Sequence, residues 1–326
     1  MAILPAADHP ATTRRCTAAI LRLVPSDLTV PAAARDAILA WYAEHGRPLA
    51  FRRTTDPYAV LVAEAMAQQT QASRAAAYWE RFMVRFPTVA ALASAKPADV
   101  LRVWQGLGYD RRALALWRAA RIIVTDHGGR VPDSISALEA LPGVGPYTAR
   151  AVGALAFGRP VGAVDVNVRR VLGRIVAGTE PPRASVLQAL ADAVVPADEP
   201  GAWTHALMDV GATLCRPRNP RCEACPARPW CHYAARPAPS SVPAPLTGKP
   251  AAARAVPFPT TTRWLRGRIL DRLRTASGDA WVEIEPPIGS HGVDKVLAAI
   301  EAMSGDGLIE VEAVSPAIIR VRLATS

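Results

Sequence analysis

The apolar residues of this chain recur at helical spacing from residue 32 to about residue 213, and short loops containing Gly or Pro separate the periodic runs. No alternating strand pattern competes with this spacing before residue 235, so the main body is predicted to be nearly all α-helix. The predicted helices are 32–45, 57–70, 73–86, 89–95, 97–104, 111–126, 135–140, 147–157, 165–177, 183–194 and 203–213.

The pattern changes beyond residue 235. Seven prolines fall between residues 236 and 260, which is typical of an extended linker. After the linker, residues 262–275 and 293–303 have helical spacing, whereas 308–312 and 318–323 alternate like two strands. We therefore expect a loose N-terminal tail and a small winged-helix-like module at the other end. The predicted divisions are 1–30 (tail), 31–235 (main domain), 236–261 (linker) and 262–326 (C-terminal module).

The charge balance favours a polyanionic partner. Lys and Arg number 38 against 28 Asp and Glu, which gives a formal net charge of +10. From residue 262 onward nine acidic residues face eight basic ones, so the basic excess lies in the earlier part of the chain. We expect phosphate binding to depend on that earlier part, and not on the C-terminal module. The sequence lacks a charge-free apolar run of membrane-spanning length, and no apolar core follows Arg14-Arg15, so neither a membrane span nor a secretory signal is expected.

A glycine-rich turn, Leu141 to Gly145, joins two predicted helices. Gly143 and Gly145 permit positive φ, and a Gly-x-Gly turn that opens a helix directs free N–H groups toward a bound anion. An ordinary helical hairpin with a glycine C-cap is the alternative interpretation. Asp165 begins the next helix, where a carboxylate is either an N-cap, a functional group, or both.

Four of the five cysteines lie within 17 residues, with the spacing C-x6-C-x2-C-x5-C. This spacing favours a [4Fe–4S] cluster over zinc, because zinc sites usually use two close C-x2-C pairs and only one is present. Disulfides are a further alternative, but the odd and clustered count argues against a secreted disulfide framework. We therefore expect a cytoplasmic protein with a structural cluster. The proposed ligands are Cys215, Cys222, Cys225 and Cys231.

The hairpin, the aspartate and the cysteines, in this order, resemble the helix-hairpin-helix DNA glycosylase superfamily that includes endonuclease III. Within it, four segments are similar to the A/G-specific adenine glycosylases of the MutY type: AEAMAQQTQ (63–71), WQGLGY (104–109), LPGVGPYTA (141–149) and VDVNVRRVL (164–172). The resemblance covers roughly residues 32–235. It implies a six-helix barrel module and a [4Fe–4S] module, and a monomer that acts on mismatched double-stranded DNA.

The resemblance also implies catalytic roles. Asp165 matches the carboxylate that stabilises the oxocarbenium-like sugar as the N-glycosidic bond breaks, and Asn167 matches an active-site asparagine near that sugar. Glu64 matches the acid that protonates the departing adenine. Glu64 interrupts an apolar helix, so the alternative interpretation is a surface Glu at the polar edge of that helix.

The remaining matches concern DNA binding and reaction type. Gln68, Gln69 and Tyr109 match residues that insert into the duplex, and Gly143, Val144 and Gly145 would hold a phosphate beside the lesion. Tyr147 stands where the strand-cleaving relatives have a lysine. A phenol cannot form their Schiff base, so base removal without strand cleavage is expected.

The resemblance implies that the protein removes adenine mispaired with guanine or 8-oxoguanine. Two alternatives to this activity remain. The first is a thymine or uracil mismatch glycosylase of the same fold, and the second is a non-catalytic DNA-binding iron–sulfur module. The chain also departs from the adenine branch: Asp110 replaces a second tyrosine and Ala67 a leucine. The C-terminal module is too short for the nucleotide-hydrolase-like domain with which larger members recognise 8-oxoguanine.

Overall fold

A computed structural model describes residues 28–235, 257–315 and 318–325. Most of the predicted N-terminal tail, including Cys16, and most of the predicted linker lie outside these residues. The helices are α1 (Ala32–His45), α2 (Pro57–Ala67), α3 (Ala72–Arg85), α4 (Val89–Ala93), α5 (Pro97–Val103), α6 (Arg111–Asp126), α7 (Ile135–Glu139), α8 (Pro146–Phe157), α9 (Val166–Ala177), α10 (Ala184–Ala193), α11 (Pro200–Asp209), α12 (Thr262–Thr275) and α13 (Val293–Gly305). The strands are β1 (Val282–Ile284), β2 (Ile309–Ser315) and β3 (Ile318–Leu323).

The fold is mainly α with a small C-terminal sheet, as predicted. Helix α2 ends at Ala67 instead of about residue 70, several other helix bounds shift by one or two residues, and two further details differ from the expected elements. Strand β1 was not predicted, because it has only three residues and two prolines follow it closely. The predicted helix at 203–213 instead begins at Pro200 and passes at Val210 into a π-helical turn. Pro200 occupies the first helical turn, where a missing N–H costs nothing.

The described chain divides into two compact units, each formed by two separate stretches of the sequence. The first unit contains the residues up to Pro48 and those from Pro146 to 235, and the second contains 49–145 and the described residues from 257 onward. This grouping does not test the predicted divisions at residues 235 and 262, which stay predictions.

In the first unit, helices α1, α9, α10 and α11 share one apolar core. Ile38, Leu172 and Trp203 are almost fully buried in it, and several cysteines pack against its edge. A buried ion pair adds to this core: the carboxylate of Asp209 is fully buried and accepts from the backbone N–H of Arg47 at 2.8 Å and from its guanidinium at 2.7 Å. Breaking such a pair is costly, because one buried charge would be left without compensation.

In the second unit, α2 is buried along nearly its whole length, from Tyr58 to Met66, and packs against α3 and α6. Its N-terminus is capped by Asp56, whose side chain accepts from the backbone N–H of Ala59 at 2.7 Å. The C-terminal module contributes α12, α13 and an antiparallel sheet with strand order β1-β3-β2. Helix α12 and strand β3 both contact α5, so this module packs onto the helical part of the unit.

Candidate functional site

The carboxylate of Asp165 is the N-cap of α9. Its Oδ1 accepts from the backbone N–H of Asn167 at 2.8 Å and of Val168 at 2.7 Å, and its Oδ2 accepts from the Asn167 amide at 2.8 Å. Three donors at the positive end of a helix hold the carboxylate in one orientation. The capping interpretation of Asp165 is therefore correct, and it fixes the position of a half-buried negative charge.

Arg170, which sequence reasoning missed, supports the Asp165–Asn167 pair. Its guanidinium donates to Oδ1 of Asn167 at 2.8 Å, to the carbonyl of Gly211 at 2.7 Å and to the carbonyl of Cys215 at 2.6 Å. A Cβ on Gly211 would lie 2.5 Å from the Cβ of Asn167, so only glycine fits there. The available signal was the spacing of Asn167 and Arg170, three residues apart on one helix.

Tyr147 lies in the first turn of α8, directly after Pro146. Its hydroxyl donates to the sulfur of Met208 at 4.0 Å, a weak interaction inside the first unit. The residue is partly buried, and its side chain offers a phenol where an amine would be needed for covalent attack on a sugar.

The four predicted cysteine ligands all line one pocket, together with Arg174, Arg221 and Arg228. None of the four forms a disulfide, which excludes that alternative in this structure. Burial raises the pKa of Cys225 to about 11 and also raises the pKa of Cys222 and Cys231. Within residues 28–235, 257–315 and 318–325, no group of three or more His, Cys, Asp or Glu side chains is arranged to hold a metal ion.

Helix α9 and the cysteine loop are joined by Arg174. Its guanidinium donates to the Cys215 sulfur at 3.4 Å and to the carbonyl of Arg216 at 2.7 Å, and it stacks on Tyr233 at 4.4 Å. The Cys231 thiol donates in turn to the carbonyl of Arg174 at 3.4 Å. One helix therefore carries Asp165 at its first turn and holds the cysteine loop farther along.

Glu64, in the second unit, is only 7% exposed. The alternative interpretation, an exposed Glu at the polar edge of α2, is therefore wrong: the apolar neighbours of Glu64 on the same helix are buried with it. The structure thus places a carboxyl group inside the buried, apolar stretch of α2.

Two exposed loops of the second unit contain the residues expected to enter DNA. Gln69 has φ 54° and Tyr109 has φ 52°, the left-handed region that side chains rarely adopt. Gln69 is exposed, and the Tyr109 side chain is 44% exposed, so Tyr109 does not simply fill the core. Gln68 donates from its amide to the carbonyl of Gly143 at 3.3 Å.

Arg112 holds both loops and was not anticipated from the sequence. Its guanidinium donates to the carbonyls of Ala65 at 3.0 Å, of Gln68, and of Gly108 at 3.0 Å. It also lies 5.4 Å from the centre of the Tyr109 ring, and burial lowers its pKa from the ordinary value. Because several carbonyls converge on one cation, the two loops are fixed to each other.

The glycine-rich turn has the geometry expected of it. Gly143 is exposed and has φ 79°, and a Cβ at this position would lie 2.8 Å from that of Ala115. The Val144 N–H donates to the carbonyl of Leu141 at 3.1 Å, and α8 starts directly after Gly145. A glycine is therefore required at 143, and the turn leaves its backbone open to an approaching group.

The structure thus groups the predicted site residues in two sets. Asp165, Asn167, Tyr147 and the four cysteines belong to the first unit. Glu64, Gln68, Gln69, Tyr109 and the glycine-rich turn belong to the second unit.

Three comparisons place this chain among known proteins. Residues 62–210 match the model of the HhH-GPD superfamily base excision DNA repair proteins. An adenine DNA glycosylase of Mycobacterium tuberculosis (strain ATCC 25618 / H37Rv) is 44% identical over 244 residues, which are 73% of this chain and 78% of that protein. Its coverage and identity are both high enough to establish family membership.

Solved structures agree with this assignment. The structure of a thermostable thymine-DNA glycosylase matches with a TM-score of 0.58 and 32% identity, over 61% of this chain and 94% of that one. An endonuclease III–DNA complex matches with a TM-score of 0.50 and 19% identity, over 70% and 97% of the two chains, and shows the shared fold alone. The chain therefore belongs to the adenine DNA glycosylases, within the HhH-GPD superfamily of base excision DNA repair proteins.

Proposed function

We propose that this protein hydrolyses the N-glycosidic bond of adenine mispaired with guanine or 8-oxoguanine in double-stranded DNA, and that it does not cut the strand. The observation that carries the proposal is the oriented carboxylate of Asp165, held by two backbone N–H groups and the Asn167 amide. The 44% identity to an adenine DNA glycosylase supports adenine as the base. We also propose that the protein acts as a monomer in the cytoplasm and associates with the nucleoid through DNA binding.

The proposed reaction is a hydrolysis in which two carboxyl groups have opposite roles. Glu64 donates a proton to a ring nitrogen of adenine, and the bond between C1′ and the base breaks with its electron pair leaving on the base. The Asp165 carboxylate stabilises the positive charge that develops on the sugar. Water then adds to C1′ and loses a proton, which leaves an abasic site. Asn167 and Arg170 would keep Asp165 in place during this step.

DNA binding is proposed to use the two exposed loops and the glycine-rich turn. Gln68, Gln69 and Tyr109 would replace the stacking and pairing lost when a base leaves the duplex. The backbone N–H groups of Gly143 and Gly145 would bind a phosphate at the N-terminus of α8, while Val144, whose own N–H donates to the Leu141 carbonyl, would hold the turn in shape beside it. Among the residues that the structure describes, no helix is both long and apolar enough to cross a membrane.

We propose a [4Fe–4S] cluster at Cys215, Cys222, Cys225 and Cys231. The donor set fits: four thiols line one pocket at the edge of a core, and the wide spacing suits a cluster larger than one ion. The bound cluster would supply cross-links between the thiolates and so stabilise the loop, whose exposed Arg218 and Arg221 would face DNA phosphates.

A panel of duplexes tests the proposed substrate. We expect release of adenine opposite 8-oxoguanine and opposite guanine, with an intact strand until alkali is added, because Tyr147 cannot form a Schiff base. The measurement is single-turnover product formation on gels with and without alkali, with a paired A·T duplex as the control. Release only of thymine or uracil from mismatches with guanine would favour the related glycosylase activity, and no release at all would favour a DNA-binding module.

Replacement of a cysteine tests the proposed cluster. We expect anaerobically purified protein to contain about four iron and four sulfide per chain, as the cluster type requires, and the Cys225→Ala variant to lose most of both. Cys16→Ala, outside the predicted ligand set, is the matched control and should retain them. Stoichiometric zinc in the wild-type protein, with no iron or sulfide, would contradict this assignment.

A further inference from the structure

The C-terminal module is anchored beside the loop that contains Tyr109. Arg274 of α12 is only 5% exposed and forms an ion pair with Asp110, and its Nε donates to the carbonyl of Leu101 at 3.1 Å. Asp110 is the position at which this chain departs from the second tyrosine of the adenine branch. The departure has a structural explanation here, because Asp110 binds the C-terminal module.

Further ion pairs hold the same interface. Lys96 lies 2.5 Å from the carboxylate of Asp279, and the Asp306 carboxylate is 3.3 Å from Arg111, while Arg266 of the same module binds that carboxylate at 2.5 Å. Exposed ion pairs contribute little individually, but the buried Arg274–Asp110 pair and the shared Asp306 restrict how the module can rotate. The start of α12 is therefore held at a defined position.

Arg263, in the first turn of α12, lies on the exposed Tyr109 ring. Its guanidinium carbon is 4.4 Å from the ring centre, and its Nη1 donates to the Tyr109 hydroxyl at 3.3 Å. A Cβ placed on Gly108 would lie 3.6 Å from its Nη2, so the arginine also covers the residue before Tyr109. Tyr109 is thus flanked by two cations, the partly buried Arg112 and the exposed Arg263.

We propose that Arg263 is a positioning residue for Tyr109 and a DNA-backbone contact, so that the C-terminal module extends the DNA-binding surface beside the inserted ring. This inference rests on the proposed function. A planar guanidinium can stack flat on an aromatic ring while its edge N–H groups bind a phosphate, whereas a lysine ammonium has no planar face for stacking. The small excess of acidic residues in the C-terminal module predicts that the module does not bind phosphate. A single well-placed arginine can nevertheless bind a phosphate, whatever the net charge of the module.

The chemistry favours a phosphate as the partner of Arg263. DNA that accommodates the exposed Tyr109 ring must bring its backbone close to the groups around that ring, and Arg263 is exposed there. The contact holds Tyr109 in its left-handed conformation before DNA arrives. Less ordering is then needed when the duplex binds, which strengthens binding without a new contact to the reacting sugar.

The test compares full-length Arg263→Ala, Arg263→Lys and Arg272→Ala proteins. Arg272 is exposed on α12, nine residues away and therefore on the opposite face of the helix, so it controls for loss of one positive charge. Binding is measured between about 50 and 200 mM salt, the range over which the loss of phosphate contacts changes affinity strongly. The duplex carries 2′-fluoro-deoxyadenosine opposite guanine, because this nucleoside resists hydrolysis. Circular dichroism and the melting temperature verify folding.

For Arg263→Ala we expect about tenfold weaker binding and a salt-dependence slope smaller by about 0.9, the value for one lost phosphate contact. Arg263→Lys should keep the slope but not the full affinity, and Arg272→Ala should resemble wild type. The loss should also shrink in a Tyr109→Ala background, because the positioning part of the effect needs the ring. For the control Arg272→Ala, the rate of adenine release at saturating enzyme should also stay near wild type.

Two outcomes would overturn the inference: equal weakening by Arg263→Ala and Arg272→Ala, or independent effects of Arg263→Ala and Tyr109→Ala. Because binding is measured without turnover, failure of the proposed function would appear separately, as a wild-type protein that binds the duplex but releases no adenine.

Discussion

Asp165→Asn should lower the single-turnover rate of adenine release by about 10³-fold or more, the scale of losing a preorganised electrostatic group, while binding of the mismatched duplex is retained. Asn is as good an N-cap as Asp, so its side-chain oxygen can still accept from the N–H groups of Asn167 and Val168. The substitution removes the negative charge and the hydrogen bond from the Asn167 side-chain amide, but it can keep both backbone caps of the helix. The rate on an A·8-oxoguanine duplex and the binding constant for an uncleavable duplex measure the two effects separately.

Asp56→Asn is the matched control for this experiment. Asp56 is also an N-cap, with an oxygen 2.7 Å from the backbone nitrogen of Ala59, but it caps α2 and is not proposed to meet the sugar. Its Asn variant should keep a rate close to wild type. If Asp165→Asn released adenine at the wild-type rate, Asp165 would have only a structural role.

Glu64→Gln should slow adenine release by about 10²- to 10⁴-fold, the usual contribution of a general acid. Gln has nearly the same shape as Glu, so the buried position in α2 can accept it, but its amide cannot deliver a proton to the base. The measurement is again the single-turnover rate, and the melting temperature should change little. Glu80→Gln, at an exposed position of α3, is the control for the same chemical change.

Modified bases give a second readout that a structural role of Glu64 would not change. In 7-deazaadenine and 3-deazaadenine, one ring nitrogen at a time is replaced by carbon. For the analogue that lacks the nitrogen protonated by Glu64, the wild-type enzyme should become as slow as the variant, and the variant should lose nothing more. Equal ratios of wild-type to variant rate on adenine and on both analogues would argue against proton donation by Glu64.

Local features of this fold were predictable because they depend on neighbouring residues. The bounds of α1 and the caps at Asp56 and Asp165 follow from spacing and capping chemistry within a few residues. The grouping of the four cysteines around one pocket follows from their separation of at most six residues along the chain. In each case the residues involved are only a few positions apart, so the backbone between them can adopt few conformations.

The features that were missed depend on residues far apart in sequence. Arg112 binds carbonyls more than 40 positions earlier, and Arg170 binds Gly211 and Cys215 more than 40 positions later. An arginine in an amphipathic helix has the same local pattern whether it faces water or collects buried carbonyls, so periodicity alone cannot separate the two. For the same reason, periodicity alone could not decide whether Glu64 is buried or exposed.

The Arg274–Asp110 pair makes the C-terminal module and the loop at 106–110 interdependent. A shortened protein that ends before α12 would keep Asp110 but lose the guanidinium that neutralises it, so it would place a carboxylate next to DNA phosphates. Weaker DNA binding by such a truncated protein would therefore have two causes, the repulsion between Asp110 and DNA phosphates and the absence of the module. Asp110→Tyr in the shortened protein would separate these effects, and gain or loss of the module during evolution should accompany a change at this one position.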